Sequence, residues 1–205
     1  MRGADRTRIE AARLYVITPD APRERVLEIV SAALRGGADV IQLRHKTMPR
    51  GELLDLAREL RSLITSGLFV VNDYVDIALL SGADGVHLGP DDLTVASARK
   101  VAGDRLLIGV SASSAGAVEP GADYAGCGPA FATPIKTSKP VIGPEGVAAV
   151  ARALTIPVFA IGGIDASNLP RLVALGIRRA CVIRAVAGAP DPEEAVRRLR
   201  AILTA

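Results

Sequence analysis

Aromatic side chains are scarce in this chain, which has no Trp and only three Phe and three Tyr among 205 residues. Its core must therefore be filled by Val, Ile, Leu and Ala. A surface that reads nucleic acid by stacking bases on aromatic rings has too little to work with. Cysteine is nearly absent as well. Cys127 and Cys181 have neither a CxxC spacing nor a His beside them, so they read as buried small apolar residues, and a reducing cytoplasm is the expected compartment. Histidine occurs only at His45 and His87, which form no zinc-binding cluster. No apolar run reaches membrane-spanning length. The opening Met-Arg-Gly-Ala-Asp-Arg-Thr-Arg carries charge without the apolar segment and cleavage site of a secretory signal. A net charge of only +3 suits small anionic partners better than a nucleic acid.

Apolar residues, by contrast, make up 49% of the chain, and they fall in a regular order. Short β-branched runs occur at 13–18, 39–44, 68–73, 85–89, 106–111, 123–128, 157–163 and 179–186. Segments with helical spacing lie between them, among them 22–37, 50–64, 144–154, 166–176 and 191–205. Several of these open on Pro or an acid and close near Gly. Eight strands, each followed by a helix or helical turn, predict a single α/β domain over residues 1–205: a (β/α)8, or TIM, barrel. Residues 1–11 read as an N-terminal extension whose order is left open. A doubly wound sheet is disfavoured because no G-x-G-x-x-G turn follows the first strand.

A barrel of this kind carries its chemistry at the C-terminal ends of the strands. Gln42 and Arg44 alternate on one strand face, and Lys46 lies just beyond them. Arg with its planar fork and Lys as a point charge can together grip a diphosphate. Asp73 and Asp92 follow adjacent strands. Two carboxylates completed by phosphate oxygens and water suit octahedral Mg2+. Asp76 and Asp84 read as capping residues, and His87, in mid-strand, as a core or supporting histidine. The long segment 128–146 carries Thr133, Lys136 and Lys139 and is expected to close over substrate. Gly162 and Gly163 after strand 7, with the backbone after strand 8, form the usual phosphate cradle of this fold. The rim thus reads as two anion sites, one for a diphosphate with its metal and one for a monophosphate.

These blocks resemble a known family. "LYVITP", "IQLRHK", "VNDYVDIALLSGADGVHLGPDDL", "IGVSASS", "GADYAGCGPAFATPIK", "FAIGGI" and "ACVIRAV" are similar to the thiamine phosphate synthases over nearly the whole chain. The resemblance implies condensation of 4-amino-2-methyl-5-hydroxymethylpyrimidine diphosphate with 4-methyl-5-(2-phosphoethyl)thiazole, giving thiamine phosphate and diphosphate. It implies Gln42, Arg44, Lys46, Asn72, Ser111 and Lys136 at the pyrimidine diphosphate, with Arg44, Lys46 and Lys136 carrying the catalysis. It puts Asp73 and Asp92 on Mg2+, and Thr133, Gly163, Ile183 and Arg184 at the thiazole phosphate. The chain departs from the family pattern at His45, Tyr74, Pro90, Ile135 and Arg184. Ile135 loses a hydroxyl at the thiazole phosphate, and the charge of Arg184 is expected to compensate.

Two rivals stand beside this reading. A thiazole tautomerase of the same lineage needs an acid/base in the loop after strand 6, where Gly128 and Pro129 offer none. A non-catalytic barrel that binds thiamine precursors is the other. The expected partners are small molecules, with no nucleic acid and no membrane, and a homo-oligomer is left open.

Overall fold

The computed structural model of the chain describes residues 2–132 and 140–205. Eight parallel strands follow one another around a closed barrel: β1 (Leu14–Ile17), β2 (Val40–Leu43), β3 (Leu68–Asn72), β4 (Gly85–Leu88), β5 (Leu107–Ala112), β6 (Tyr124–Cys127), β7 (Val158–Ile161) and β8 (Ala180–Val182). Closure comes where β1 meets β8, Leu14 pairing with Ala180 and Val16 with Val182. The (β/α)8 expectation therefore holds. The helices are α1 (Arg2–Ala11), α2 (Arg23–Gly36), α3 (Arg50–Leu63), α4 (Val75–Ser81), α5 (Val95–Ala102), α6 (Gly143–Ala153), α7 (Leu169–Ala174), α8 (Arg184–Ala187) and α9 (Pro192–Thr204). Between β5 and β6 there is only a 3₁₀ turn at Ala115–Ala117.

Strand alternation divides the core in two. Leu14, Val16, Ile41, Leu43, Phe69 and Val71 point outward and pack beneath the helices. Tyr15, Val40, Leu68, Val70, Leu107, Tyr124, Phe159 and Cys181 fill the barrel itself. Half of the chain's six aromatic residues are thus spent inside the barrel, where Phe159 packs edge-on against Tyr15 (5.4 Å) and Tyr124 (5.9 Å). Residues 2–11, whose order the sequence left open, form α1, and Ile9 joins the interior cluster from below. Both cysteines are buried, and burial pushes the Cys127 thiol up to about 11.

At the N-terminal face one device recurs. Gly-Ala-Asp precedes β2, β4 and β6, as Gly37-Ala38-Asp39, Gly82-Ala83-Asp84 and Gly121-Ala122-Asp123. Each Gly takes a left-handed φ (92°, 71° and 88°). Each Asp accepts a backbone N–H at the preceding strand: Asp39 from Leu14 (2.9 Å), Asp84 from Phe69 (2.7 Å) and Asp123 from Ile108 (2.8 Å). An arginine then closes each carboxylate, respectively Arg200, Arg61 and Arg99. Pairing of this kind at the N-terminal face serves stability, leaving the opposite face for chemistry. The acid-rich stretch 71–92 is therefore split, since Asp84 ties strands together at one end while Asp73 and Asp92 lie at the other. Asp76 sits in the first turn of α4 but makes no capping bond, and it pairs with Arg50 instead.

The expected eighth strand is shorter than the run 179–186 suggests. β8 stops at Val182, Ile183 turns with φ −121° and ψ −77°, and Arg184 is the first residue of α8. A continuous apolar run cannot by itself separate strand from helix, and here it contains both.

Candidate active site

The C-terminal ends of β1 to β4 bring a cluster of charges together. Thr18 and Arg44 tie the ends of β1 and β2: the Arg44 N–H donates to Thr18 Oγ1 (2.9 Å), whose hydroxyl donates to the Arg44 carbonyl (3.1 Å). The Arg44 guanidinium then reaches Asp20 Oδ2 at 2.8 Å, and the Lys46 N–H reaches Asp20 Oδ1 at 2.6 Å. Asp20 is held below the usual carboxylate range; burial opposes this, but the Lys46 amide and Arg44 outweigh it. The Lys46 ammonium pairs with the Asp73 carboxylate.

Asp73 follows Asn72, the last residue of β3, and has φ 66°, the one positive φ outside glycine among the described residues. That conformation is unusual for a residue with a Cβ and recurs where function requires it. It is pinned by the Asp73 N–H donating to the His87 carbonyl (2.8 Å) and the Tyr74 N–H to that of Asn72 (2.8 Å). Asp92 accepts the Gly89 N–H at 2.7 Å, and its carboxyl meets that of Asp73 within hydrogen-bonding reach. Burial first, and then Asp73, raise the Asp92 pKa. Two half-buried carboxylates forced together in this way want a cation between them. Among the described residues no group of three or more His, Cys, Asp or Glu converges. A divalent ion held by this pair would have to take its remaining ligands from water and substrate oxygens.

Beside this cluster a cavity of ≈ 530 Å³ opens among the ends of β4 to β8, lined by Gly89, Ser111, Gly163, Ile183 and Arg184 among others. Its size suits a small-molecule ligand. Gly162 and Gly163 have φ of 102° and 62°; a Cβ on Gly162 would lie 2.6 Å from Pro129 Cα, and one on Gly163 2.4 Å from the Ala132 carbonyl oxygen. Only glycine fits both the backbone and the space. The Asn168 amide donates to the Gly163 carbonyl at 2.8 Å and holds this turn. Arg184 is exposed at the cavity wall. Asp165 is lowered first by the Ser167 hydroxyl and also feels Arg184.

A model of the thiamine monophosphate synthase family matches residues 14–186. The chain belongs to that family. It is 48% identical over 193 residues to a thiamine-phosphate synthase of Gloeobacter violaceus, covering 91% of this chain and 56% of the relative. It is also 48% identical over 185 residues to the thiamine-phosphate synthase of Chlorobium luteolum, covering 86% and 87% respectively. The solved thiamine phosphate pyrophosphorylase from Pyrococcus furiosus superposes with a TM-score of 0.86 at 39% identity, covering 97% of both chains. The chain thus spans little more than half the length of the first of these curated relatives, 56%.

Of the residues that the family resemblance singled out, Gln42, Arg44, Lys46, Asn72, Asp73, Asp92, Ser111, Gly163, Ile183 and Arg184 all lie at this one end of the barrel. Within that end they divide into the cation and acid cluster at β1 to β4 and the cavity at β4 to β8. Thr133, Ile135, Lys136 and Lys139 lie outside the described residues. Gln42 is enclosed, not open to the mouth, and its amide nitrogen donates to Tyr15 Oη (2.8 Å). His45 accepts the Met48 N–H at Nδ1 (3.0 Å) and so folds its own loop. Tyr74 stacks beneath Arg50 at 4.5 Å.

Sequence reasoning missed Asp20, Thr18, Tyr15 and Tyr124. Asp20 and Thr18 follow β1 at the functional end, a position that could have drawn attention to them. The tyrosines look like ordinary apolar filling until their hydroxyl partners are known.

Proposed function

We propose that the chain is a thiamine phosphate synthase, a transferase that joins the pyrimidine diphosphate to the thiazole phosphate and releases diphosphate. The observation carrying this reading is the convergence of Arg44, Lys46, Asp73 and Asp92 at one end of the barrel beside a glycine-lined cavity. A phosphate-binding barrel without diphosphate chemistry has no use for two carboxylates held together under strain.

Asp73 and Asp92 would hold Mg2+, which when bound supplies positive charge to the diphosphate leaving group. Arg44 and Lys46 grip that same group, and their charges oppose the negative charge that builds on the bridging oxygen. Asp20 keeps Arg44 in place before substrate arrives. The C–O bond to diphosphate breaks with its electron pair leaving on oxygen. The aminopyrimidine carries the resulting methylene cation, and the thiazole nitrogen lone pair forms the new C–N bond. No proton need move, so the chemistry calls for no Ser/His or Cys/His pair. Gly163, Ile183 and Arg184, with Thr133, hold the thiazole phosphate so that its nitrogen faces the reacting carbon. Orientation of this kind supplies much of the rate. Lys136 is assigned to the diphosphate beside Arg44 and Lys46. A cytoplasmic enzyme of biosynthesis is the setting that the synthase reading implies. Among the described residues no helix is long and apolar enough to cross a membrane.

The isomerase reading finds no general acid or base at Gly128 and Pro129, and the relatives compared carry the synthase's name. The test is release of diphosphate by the purified chain. Release is expected only with both substrates present, lost with EDTA and restored by Mg2+. Binding of both substrates without release would return the chain to the non-catalytic reading.

Arg184 provides a second test. Arg184→Ala is expected to raise KM for the thiazole phosphate roughly tenfold, about the worth of one charge-assisted hydrogen bond. KM for the pyrimidine diphosphate should stay within twofold. Steady-state kinetics with each substrate varied in turn decide it, and an unchanged thiazole-phosphate KM removes Arg184 from that subsite.

A further inference from the structure

Just below the mouth, a line of hydrogen bonds crosses the barrel interior. The Gln42 amide nitrogen donates to Tyr15 Oη at 2.8 Å, and the Tyr15 and Tyr124 hydroxyls lie 3.0 Å apart. Tyr124 Oη is 3.3 Å from Nδ1 of His87, whose Nε2 is 3.0 Å from Ser111 Oγ. The line thus runs from β2 through β1, β6 and β4 to β5. Its two ends are residues that the family resemblance implies at the pyrimidine diphosphate, of which Gln42 is enclosed and Ser111 lines the cavity, while the three residues between them have no part in that resemblance.

Polarity follows from what each group can do. An amide nitrogen only donates, so Tyr15 accepts from Gln42. Burial pushes both tyrosine pKa values up, so each ring keeps its hydroxyl hydrogen and has one to give. Were Tyr124 to donate toward Tyr15, the Tyr15 hydrogen would be turned away from the line toward Phe159, Val40 and the thiol of Cys181. A thiol sulfur is a much weaker acceptor than a hydroxyl oxygen, so that orientation is the costlier one. Tyr15 therefore donates to Tyr124, and Tyr124 donates to His87 Nδ1. A ring nitrogen that accepts carries no hydrogen, which leaves the hydrogen of the neutral imidazole on Nε2, facing Ser111. The packing enforces this seat: a Cβ on Gly109 would lie 2.0 Å from Cζ of Tyr124, so only glycine lets the ring lie where it does.

We infer that His87 is a positioning residue whose Nε2–H tautomer, set through Tyr15 and Tyr124 from the Gln42 amide, turns the Ser111 hydroxyl hydrogen outward as a donor to the anionic pyrimidine substrate. The substrate half of this inference rests on the synthase reading; the tautomer half does not. A donor at Ser111 is the sense that an anion needs, because a hydroxyl spending its hydrogen on His87 would offer only lone pairs to a phosphate oxygen.

Nitrogen-15 NMR of the uniformly labelled full chain reads the tautomer directly. The chain has two histidines, so loss of one set of signals in His45→Gln assigns the other. His87 is expected with its hydrogen on Nε2 and a bare Nδ1. Protonation at Nδ1, alone or together with Nε2, overturns the inference whatever the chain's activity. Substrate binding is the second readout. Tyr124→Phe removes the donor to Nδ1 and is expected to weaken pyrimidine diphosphate binding about three- to tenfold, leaving thiazole phosphate binding within twofold. In a Ser111→Ala background the same substitution should add nothing, because Tyr124 acts through that hydroxyl. Additive losses would overturn the positioning role.

Discussion

Asp92→Asn is expected to lower turnover by a hundredfold or more while leaving the thiazole-phosphate KM within twofold, an order of magnitude set by loss of one of the two carboxylates proposed to hold Mg2+. The substitution is nearly isosteric, and an amide oxygen at this position can still accept the Gly89 N–H. The fold should therefore survive, and the loss falls on charge alone. The residues proposed for the thiazole phosphate, Gly163, Ile183 and Arg184, belong to other strands, which is why binding there should be spared. The Mg2+ concentration for half-maximal activity should also rise.

The same variant carries a second expectation of opposite sign. In wild type, burial and Asp73 raise the folded-state pKa of Asp92, so the ionised form costs stability once pH rises through its ordinary range. Asn removes that cost. In EDTA at neutral pH the variant should melt no lower than wild type, as expected where a site is strained for function. Near-normal turnover at saturating Mg2+ would take Asp92 out of the metal site, and a large drop in melting temperature would show that the carboxylate is structural.

Asp123→Ala carries the largest expected effect on stability. Its carboxylate is wholly enclosed and accepts from the Ile108 N–H (2.8 Å), from Arg6 Nε (2.8 Å) and from Arg99. Removing it strands the Ile108 amide and the Arg99 charge, a change that costs about 3–5 kcal/mol, or a fall in melting temperature of roughly 10 °C for a domain of this size. Burial alone would push the Asp123 pKa up, but the Ile108 amide, Arg6 and Arg99 together bring it below the ordinary value. A lowered folded-state pKa means that the stabilisation is fully present above the unfolded value near 3.9 and fades as pH falls through the folded one. The gap between wild type and Asp123→Ala should therefore be constant at neutral pH and narrow below about pH 4. Chemical denaturation across pH measures it. Activity per folded molecule should be little changed, because Asp123 lies at the opposite end of the barrel from the site. A gap that persists at pH 2 would mean that lost packing, and not the carboxylate, carries the effect.

How much of this could be read in advance depended on which physical rule was local. Arg44 was legible because strands alternate, which puts it on the face of Gln42, and because charge just past a barrel strand is seldom idle. Gly162 and Gly163 were legible because glycine at that turn has a backbone meaning. Asp73 and Asp84 were separable by position, one just past a strand and the other in the turn before the next, but Asp84 was read as a capping residue, whereas it ties β3 to β4 at the far end. Asp84 had a signal, since Gly-Ala-Asp recurs before β2 and β6, but the repeat gains meaning only when the three carboxylates are seen doing the same work. The apolar run into Arg184 was read as strand throughout because hydrophobicity alone does not separate a strand end from a helix start. Asp20 was passed over since its partners, Arg44 and Lys46, are more than twenty residues away in the chain.

By itself, then, the order of residues determined the eight-fold alternation, the closed barrel and the end at which its chemistry sits. These follow from the period of apolar residues and from turn chemistry, both short-range properties. Only the closed barrel decided which carboxylates meet, that Lys46 lies against Asp73, and that two tyrosines and a histidine join Gln42 to Ser111. Such contacts are made across the sheet between residues far apart in sequence, and their energies depend on distance and burial, which no local pattern encodes.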